Sequence, residues 1–131
     1  MYLKIIRINA RDRSFQTESV PGDFETLGGR AFTSHWVSRY VDPEADPLGK
    51  KNQFVIAPGL LAGTPASSVH RLSVGAKSPL TSGIKESNSG GNVALKLARL
   101  GIKALILENL PADETFWILK INKNGVDFEP A

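Results

Sequence analysis

The chain has 131 residues, of which 41% are hydrophobic and 22% charged, and its formal net charge is +3 at pH 7. This size and balance predict one soluble domain over residues 1–131 with a small core. The basic residues are scattered, so we expect no nucleic acid partner. Because cysteine is absent, the chain supplies no disulfide and no thiolate ligand for an iron–sulfur cluster.

The first ten residues carry Lys4 and Arg7 and lack the apolar core of a signal peptide. No stretch of the sequence approaches the length of a membrane span. We therefore expect a cytoplasmic protein without a membrane contact.

The first part of the chain predicts a hairpin followed by a helix. Residues 2–8 have the composition of a strand, and residues 14–20 alternate weakly, as a returning strand would. The Pro-Gly-Asp segment at 21–23 ends this pattern. Apolar residues at helical spacing then follow a Gly-Gly pair at 28–29, and Pro43 bounds the predicted helix.

The middle of the chain predicts strands separated by loops. Residues 41–51 are polar and predict a loop, whereas residues 54–57 predict a short buried strand. Small residues dominate the loop at 59–68. Residues 70–77 alternate again, and Pro79 ends that strand.

The second helix is predicted at residues 92–100. A short strand at 82–87 and an Asn-Ser-Gly-Gly turn at 88–91 precede it, and Gly101 is a typical helix stop. Its spacing predicts that one side packs on a sheet, formed by Val93, Leu97 and Leu100.

The end of the chain predicts an apolar strand at 103–107 and a final hairpin. The hairpin joins residues 115–121 to residues 126–128 through an Asn-Lys-Asn-Gly turn. With about seven strands, two main helices and more hairpins than strand-helix-strand units, the pattern predicts an α+β fold with mostly antiparallel sheet.

Side chains that typically perform catalysis are sparse. His35 lies within the first predicted helix and His70 at a strand start, and both are interpreted as structural or surface residues. The carboxylates at 42, 44 and 46 cluster on a proline-bounded loop, which favours a solvated loop over a site. Neither pattern has the spacing of a metal site.

Three glycine-containing loops are the better candidates for binding. They lie at 28–30, 59–64 and 88–91, and glycine permits close approach of backbone N–H groups to an anion. None ends in the Gly-Lys-Ser/Thr of a P-loop, so each one alone is interpreted as a tight turn. Together with Arg71 and Lys77 they favour a phosphate-bearing ligand, unless Arg71 only pairs with a carboxylate such as Glu86 or Asp127.

Several segments in this order resemble the tungsten-containing aldehyde ferredoxin oxidoreductase family, in the first part of its N-terminal cofactor-cradling domain. The resemblance extends from the first strand to about Glu108. It rests on Leu-Gly-Gly-Arg-Ala at 27–31, Asp-Pro-Leu at 46–48, Asn52, Gly-Leu-Leu-Ala-Gly-Thr at 59–64, Arg71, Lys-Ser-Pro-Leu-Thr at 77–81, Asn-Ser-Gly-Gly at 88–91 and Leu-Ile-Leu-Glu at 105–108.

The resemblance implies a tungsten (or molybdenum) bis-pterin cofactor with magnesium, and a four-iron four-sulfur cluster held by other regions. Such enzymes oxidise aldehydes to carboxylic acids and pass electrons to ferredoxin. By the same resemblance, Arg71 lies near the pterins and the backbone carbonyl of Asn88 binds magnesium. Secondary cofactor contacts are implied for Lys77, Ser78, Ser89 and Gly90. A departure occurs at 81–83, where Thr-Ser-Gly replaces the more usual Thr-Gly.

The resemblance leaves three interpretations open. In the first, the chain is part of such an oxidoreductase and is inactive without further domains or a large catalytic subunit. In the second, it is a stand-alone module that binds a pterin or another phosphorylated ligand. In the third, it is a structural interaction protein without redox activity. For the first, we expect a poorly stable or homo-oligomeric isolated chain. Trp36 and Trp117 are the predicted exposed residues, with burial of both as the alternative.

Overall fold

The computed structural model describes residues 3–131, which form a six-stranded sheet with the order β2-β1-β6-β3-β4-β5 and a separate two-stranded hairpin. Two α-helices and one 3-10 turn at Gly22–Phe24 accompany the strands. The elements are β1 (Lys4–Asn9), β2 (Ser14–Ser19), α1 (Gly29–Tyr40), β3 (Gln53–Pro58), β4 (Leu72–Lys77), β5 (Ile84–Ser89), α2 (Val93–Arg99), β6 (Ile102–Glu108), β7 (Trp117–Asn122) and β8 (Gly125–Pro130).

The strand pairing confirms the predicted α+β fold with mostly antiparallel sheet. Only β1 and β6 pair in parallel, and all other neighbouring strands within the described residues are antiparallel. The hairpins predicted at both ends of the chain are present, although eight strands replace the expected seven. Tyr2, the first residue of the predicted N-terminal strand, lies outside the described residues.

The two faces of the main sheet are covered by different elements. On one face, α1 packs over a core that contains Ile5, Phe24, Phe32, Trp36, Val55 and Ile106. On the other face, α2 and the β7–β8 hairpin pack over a second core that contains Ile6, Ile8, Leu97, Leu105 and Val126.

The predicted exposure of Trp36 is wrong. Its side chain is 2% exposed, because it packs between Phe32 and Tyr40 on the sheet face of α1. Trp117 is half-buried, with the Arg13 guanidinium 4.5 Å from its ring centroid. The most exposed large apolar side chains among the described residues are instead Leu48, Leu80 and Phe116.

The packing predicted for the second helix is partly wrong. Val93 is 57% exposed, whereas Ala94 and Leu97 are buried and Leu100 is partly buried. A helix of seven residues makes only two turns, so a shift of one position decides which side chain faces the sheet. Gly101, at φ +71°, ends the helix as expected.

Close contact between α1 and β4 depends on Gly75. A Cβ atom on Gly75 would lie 2.7 Å from the Cβ of Thr33, which is fully buried. The absence of a side chain at Gly75 therefore lets α1 lie directly on β4. The strand β4 itself is about 20 Å long. No helix in the described part of the chain is long and apolar enough to cross a membrane.

Candidate functional site

A polar pocket of about 270 Å³ opens where α1 begins and β4 begins, and we call it the Arg71 pocket. Segments that are far apart in the sequence converge there. Its lining residues are Gly29, Arg30, Gly59, Arg71, Ser73, Glu86 and Asn88. The pocket therefore joins parts of all three glycine loops or their flanking residues into one site.

The N-terminus of α1 faces this pocket without a side-chain cap. Gly28 is the N-cap residue, makes no side-chain hydrogen bond, and is followed by a first turn that contains no acidic residue. Such a helix start has N–H groups without intrahelical acceptors and a partial positive charge. Gly29 and Arg30, the first two residues of α1, line the pocket, so this end of the helix suits an anion.

Glycines allow the loop after β3 to approach this helix start. A Cβ on Gly28 would lie 2.4 Å from the backbone nitrogen of Leu60. The Gly59 N–H donates to the Arg71 carbonyl at 2.9 Å, and the Gly63 N–H donates to His70 Nδ1 at 3.2 Å. The loop at 59–64 is thus fixed to the residues that precede β4.

Arg71 is held at the pocket by a short chain of polar side chains. Its Nε donates to the Asn88 side-chain oxygen, and Asn88 Nδ2 donates to the buried Ser73 Oγ at 3.0 Å. The guanidinium also lies beside Gly90, where an added Cβ would be 3.5 Å from Arg71 Nη1. Arg71 remains exposed, so its other N–H donors are available to a ligand.

The charges around the pocket are two cations and one anion. Arg30 and Arg71 contribute the positive charges, and Glu86 on β5 contributes the carboxylate. None of the ion pairs within 4.0 Å in residues 3–131 joins Arg71 to Glu86 or Asp127. The alternative in which Arg71 only pairs with one of these carboxylates therefore has no support from its contacts.

Lys77 and Ser78 lie at the other end of β4, about 20 Å from Arg71 along the strand. Lys77 is 7% exposed, and its ammonium donates to the carbonyls of Pro43 and, at 2.7 Å, Ala45. The structure therefore does not bring Lys77 into the Arg71 pocket. The Ser78 hydroxyl accepts from the Leu80 N–H at 3.2 Å and closes the turn after β4.

Asn52 completes the hydrogen bonding around Lys77. Its side-chain Nδ2 donates to the carbonyls of Pro47 at 2.7 Å and Lys77 at 3.0 Å. Its Oδ1 accepts from the N–H groups of Lys77 at 3.1 Å and Gln53 at 2.9 Å. Asn52, within the matched segments, therefore fixes the loop at 41–52 to the sheet.

The turn predicted at 88–91 is displaced. Asn88 and Ser89 belong to β5, where they pair with Ser73 and Leu72, and the chain turns only after Ser89. Ser89 Oγ donates to the Gly90 carbonyl at 3.0 Å. The helix start that lines the Arg71 pocket is that of α1, and no residue of α2 lines it.

The sequence pointed to Arg71 and Asn88 but missed three other lining residues. Arg30 lies in a matched segment that assigns it no individual role, and the sequence suggests Glu86 only as an ion-pair partner of Arg71. Ser73 lies in the alternating strand predicted at 70–77, but only the packing of α1 shows that its side of the strand is buried.

Other candidates for chemistry remain structural. His35 packs beside Phe24, with ring centroids 5.0 Å apart, and His70 accepts the backbone hydrogen bond described above. The carboxylates of Asp42 and Asp46 accept backbone hydrogen bonds within their own exposed loop. No group of three or more His, Cys, Asp or Glu residues in the described chain is arranged to hold a metal ion.

Fold and site together define an α+β domain with an arginine-containing, glycine-lined pocket suited to an anionic group. The chain belongs to the aldehyde ferredoxin oxidoreductase family: residues 5–131 match the family described as "Aldehyde ferredoxin oxidoreductase, N-terminal domain". This finding confirms the family that the sequence segments resemble.

Tungsten-containing aldehyde ferredoxin oxidoreductases of two Pyrococcus species illustrate the relationship. The chain is 35% identical to that of Pyrococcus horikoshii and 36% identical to that of Pyrococcus abyssi, over 98% of its own length. It spans 21% of the length of either relative.

A solved structure shares the fold at a TM-score of 0.88 and 26% identity. It is the active-site complex BamBC of benzoyl coenzyme A reductase with 1,5-dienoyl-CoA, and the match covers 97% of this chain and 19% of that one.

Proposed function

We propose that this domain holds the phosphate-bearing part of a tungsten-pterin cofactor within a larger oxidoreductase that oxidises aldehydes and passes electrons to ferredoxin. The observation that carries the proposal is the convergence on one pocket of Arg71, Asn88 and the uncapped start of α1. Membership of the family and the tungsten-containing relatives support the identity of the metal.

The residues of the pocket fit the phosphate end of such a cofactor. Gly29 and Gly59 line it without side chains, which leaves room for close backbone approach. An arginine can donate two parallel hydrogen bonds to one phosphate. A volume of about 270 Å³ is smaller than usual for a whole drug-sized ligand, so the pocket suits only one end of a large cofactor.

Each residue then has a defined task in binding. Arg71 and Arg30 neutralise phosphate charge, and the N–H groups at the start of α1 orient the phosphate oxygens. The Asn88 carbonyl contributes a hard oxygen for magnesium. The bound cofactor itself supplies the oxidation and reduction of substrate. Lys77, Ser78, Ser89 and Gly90 remain proposed secondary contacts, of which Gly90 lies beside Arg71.

Catalysis in this proposal requires regions outside the chain. The sequence has no cysteine and hence no thiolate ligand for an iron–sulfur cluster. The proposed partners are therefore the remaining domains of the oxidoreductase, or a subunit that carries them.

An Arg71→Ala variant tests the proposal in the complex with those remaining domains. We expect at least a tenfold loss of cofactor affinity, because a charge-assisted hydrogen bond contributes about 1.5–3 kcal/mol. Tungsten and pterin per protein are measured after purification, with Arg99→Ala on α2 as the matched control. Unchanged tungsten and pterin content in the Arg71→Ala complex would refute the assignment.

A stand-alone phosphate-binding module is the second candidate. The observation that favours it is that this chain brings two arginines and the uncapped start of α1 to one pocket. Mass spectrometry of co-purifying proteins separates the two functions, because only the first predicts a cysteine-containing partner with the remaining oxidoreductase domains.

A further inference from the structure

A second cavity, of about 240 Å³, lies between the loop at 59–64 and the last turn of α2, and we call it the Lys103 pocket. The loop and the helix are in close contact there, because a Cβ atom on Gly63 would lie 2.9 Å from the Cβ of Ala98. Among the described residues, only Gly59 lines both this cavity and the Arg71 pocket. Binding in the Lys103 pocket is therefore independent of the proposed phosphate site.

The lining of the Lys103 pocket combines apolar side chains with positive charge. The apolar side chains that line it are those of Leu3, Pro58, Leu60, Ala62, Ala98 and Ile102. Its ionisable lining residues are Arg99 and Lys103, and no acidic residue of the described chain lines it. Such a cavity favours a ligand with an apolar body and one negatively charged group.

A β-bulge places Lys103 at this cavity. In the pairing of β1 with β6, Lys4 lies opposite Ile102. The next pair is Ile5 with Ala104, so Lys103 is an extra residue on β6. Ile102 and Ala104 consequently belong to the cores on opposite faces of the sheet, whereas a regular strand would direct both to one face. A bulge redirects side chains in this way, and this one leaves Lys103 among the lining residues.

The Lys103 ammonium is buried without an ion partner. Lys103 is 5% exposed, and the one hydrogen bond found for its Nζ within residues 3–131 goes to the Glu25 carbonyl at 2.8 Å. None of the ion pairs in that part of the chain includes Lys103. Because an ammonium has three N–H donors, two of them are available to a ligand. Desolvation lowers the pKa of Lys103, although the Glu25 charge opposes this shift, as expected for a buried cation that lacks a close counter-ion.

We propose that the Lys103 pocket binds a small aliphatic carboxylic acid. The carboxylate accepts hydrogen bonds from the Lys103 ammonium, and the hydrocarbon chain lies against Leu60, Ala98 and Ile102. The size of the cavity suits such a ligand, because an apolar cavity of about 150 Å³ already holds benzene. The carboxylate also supplies the counter-charge that the buried ammonium lacks.

Two other roles of this region make different predictions. If Lys103 only fixes Glu25 to the sheet and water fills the cavity, no carboxylic acid binds. If the cavity only shelters hydrocarbon, an acid and its uncharged amide bind equally well. A carboxylate that pairs with Lys103 makes the acid the tighter ligand, and that advantage then depends on the lysine.

The test compares hexanoate with its uncharged amide, hexanamide, by NMR titration of the full 131-residue chain. The variant is Lys103→Met, which replaces the buried charge by an apolar side chain of similar length. The matched control is Lys96→Met, at an exposed position of α2. We expect hexanoate to bind the unaltered chain at least tenfold more tightly than hexanamide, because its hydrogen bonds to Lys103 are charge-assisted. In Lys103→Met that advantage should disappear, while hexanamide binds as before.

The position of the bound acid is read from the perturbed backbone amides. We expect them at Ala62, Gly63 and Ala98. Saturating inorganic pyrophosphate, the probe for the phosphate site proposed at the Arg71 pocket, should not displace hexanoate. Displacement by pyrophosphate, or perturbations centred on Arg71, would overturn the inference.

The affinities decide the role of Lys103. Equal binding of hexanoate and hexanamide to the unaltered chain, or no binding of either at millimolar concentration, overturns the inference even if Lys103→Met does not fold. An equal loss of hexanoate binding in Lys96→Met also overturns it, because positive charge would then act without regard to position. Failure of hexanoate to bind leaves the proposed phosphate site intact, since pyrophosphate binding tests that site separately.

Discussion

The two ends of β4 use similar polar residues for opposite purposes. At one end, Lys77 is buried, its ammonium donates to two backbone carbonyls, and the Asn52 amide makes four hydrogen bonds with backbone groups. At the other end, Arg71 is exposed and contacts Asn88 beside an open pocket. Both ends of β4 belong to segments that resemble the same family. The residues at the Lys77 end fix loops to the sheet, whereas Arg71 at the other end remains available to a ligand.

This difference shows how to separate structural from binding residues in a matched motif. A polar side chain whose donors and acceptors are all used inside the chain has little capacity left for a cofactor. A polar side chain that is positioned by one neighbour and still exposed keeps that capacity. By this criterion, Arg71 is a better candidate for a cofactor contact than Lys77, which is buried and donates to two backbone carbonyls.

Asn52→Ala should have the largest effect on stability. The substitution removes four hydrogen bonds of the Asn52 side chain, and a typical bond contributes about 1 kcal/mol net. We expect the free energy of unfolding to fall by about 3 kcal/mol in urea denaturation. The control is Asn92→Ala, since Asn92 caps α2 without a side-chain hydrogen bond. Equal losses in the two variants would contradict the role of Asn52.

Gly75→Ala, in the middle of β4, should lower the stability of the domain and also weaken binding at the Arg71 pocket. Its Cβ would lie 2.7 Å from Thr33, so α1 must move away from β4, at a cost of about 1–3 kcal/mol. Because α1 carries Gly29 and Arg30 to the pocket, pyrophosphate binding should weaken too. The control is Gly22→Ala, where no atom lies within 4 Å of the added Cβ. Unaltered binding in Gly75→Ala would show that the position of α1 does not set the pocket.

Lys103 is a second buried lysine, and we expect it to have a smaller effect on stability, one that depends on pH. It is also buried, but its Nζ has a single acceptor, the Glu25 carbonyl at 2.8 Å. Desolvation lowers the pKa of Lys103 below its ordinary value of 10.5, although the nearby Glu25 charge opposes this shift. The native state thus disfavours the charged form, and the unfolded state binds more protons between the lowered pKa and 10.5.

Stability should therefore rise as pH increases through that window. The measurement is the free energy of unfolding as a function of pH for the unaltered chain and for Lys103→Met. The variant should lack this part of the rise, because it has no titrating amine at that position. Parallel pH profiles for the two proteins would exclude a penalty from the buried ammonium.

Local patterns predicted the hairpins and the helix α1, because alternation, turn residues and glycine positions are local in the sequence. The family was identified by the resemblance of the matched segments. The burial of Lys77 was not predictable, since its acceptors on Pro43 and Ala45 lie more than thirty residues away. The predicted orientation of α2 was partly wrong because the helix has only seven residues, so a shift of one position changes which side chains face the sheet. The Arg71 pocket could not be predicted from the sequence, because only the packing of α1 on Gly75 brings Arg30 to it.

We propose that the Arg71 end of β4 binds phosphate and that the Lys77 end does not. The most direct test is the map of backbone amide shifts during titration of the unaltered chain with magnesium pyrophosphate. We predict that the perturbed amides lie at Gly29, Arg30, Arg71 and residues 88–90, with little change at Asn52 and Lys77. Perturbations centred on Asn52 and Lys77, or none at saturating pyrophosphate, would contradict the assignment.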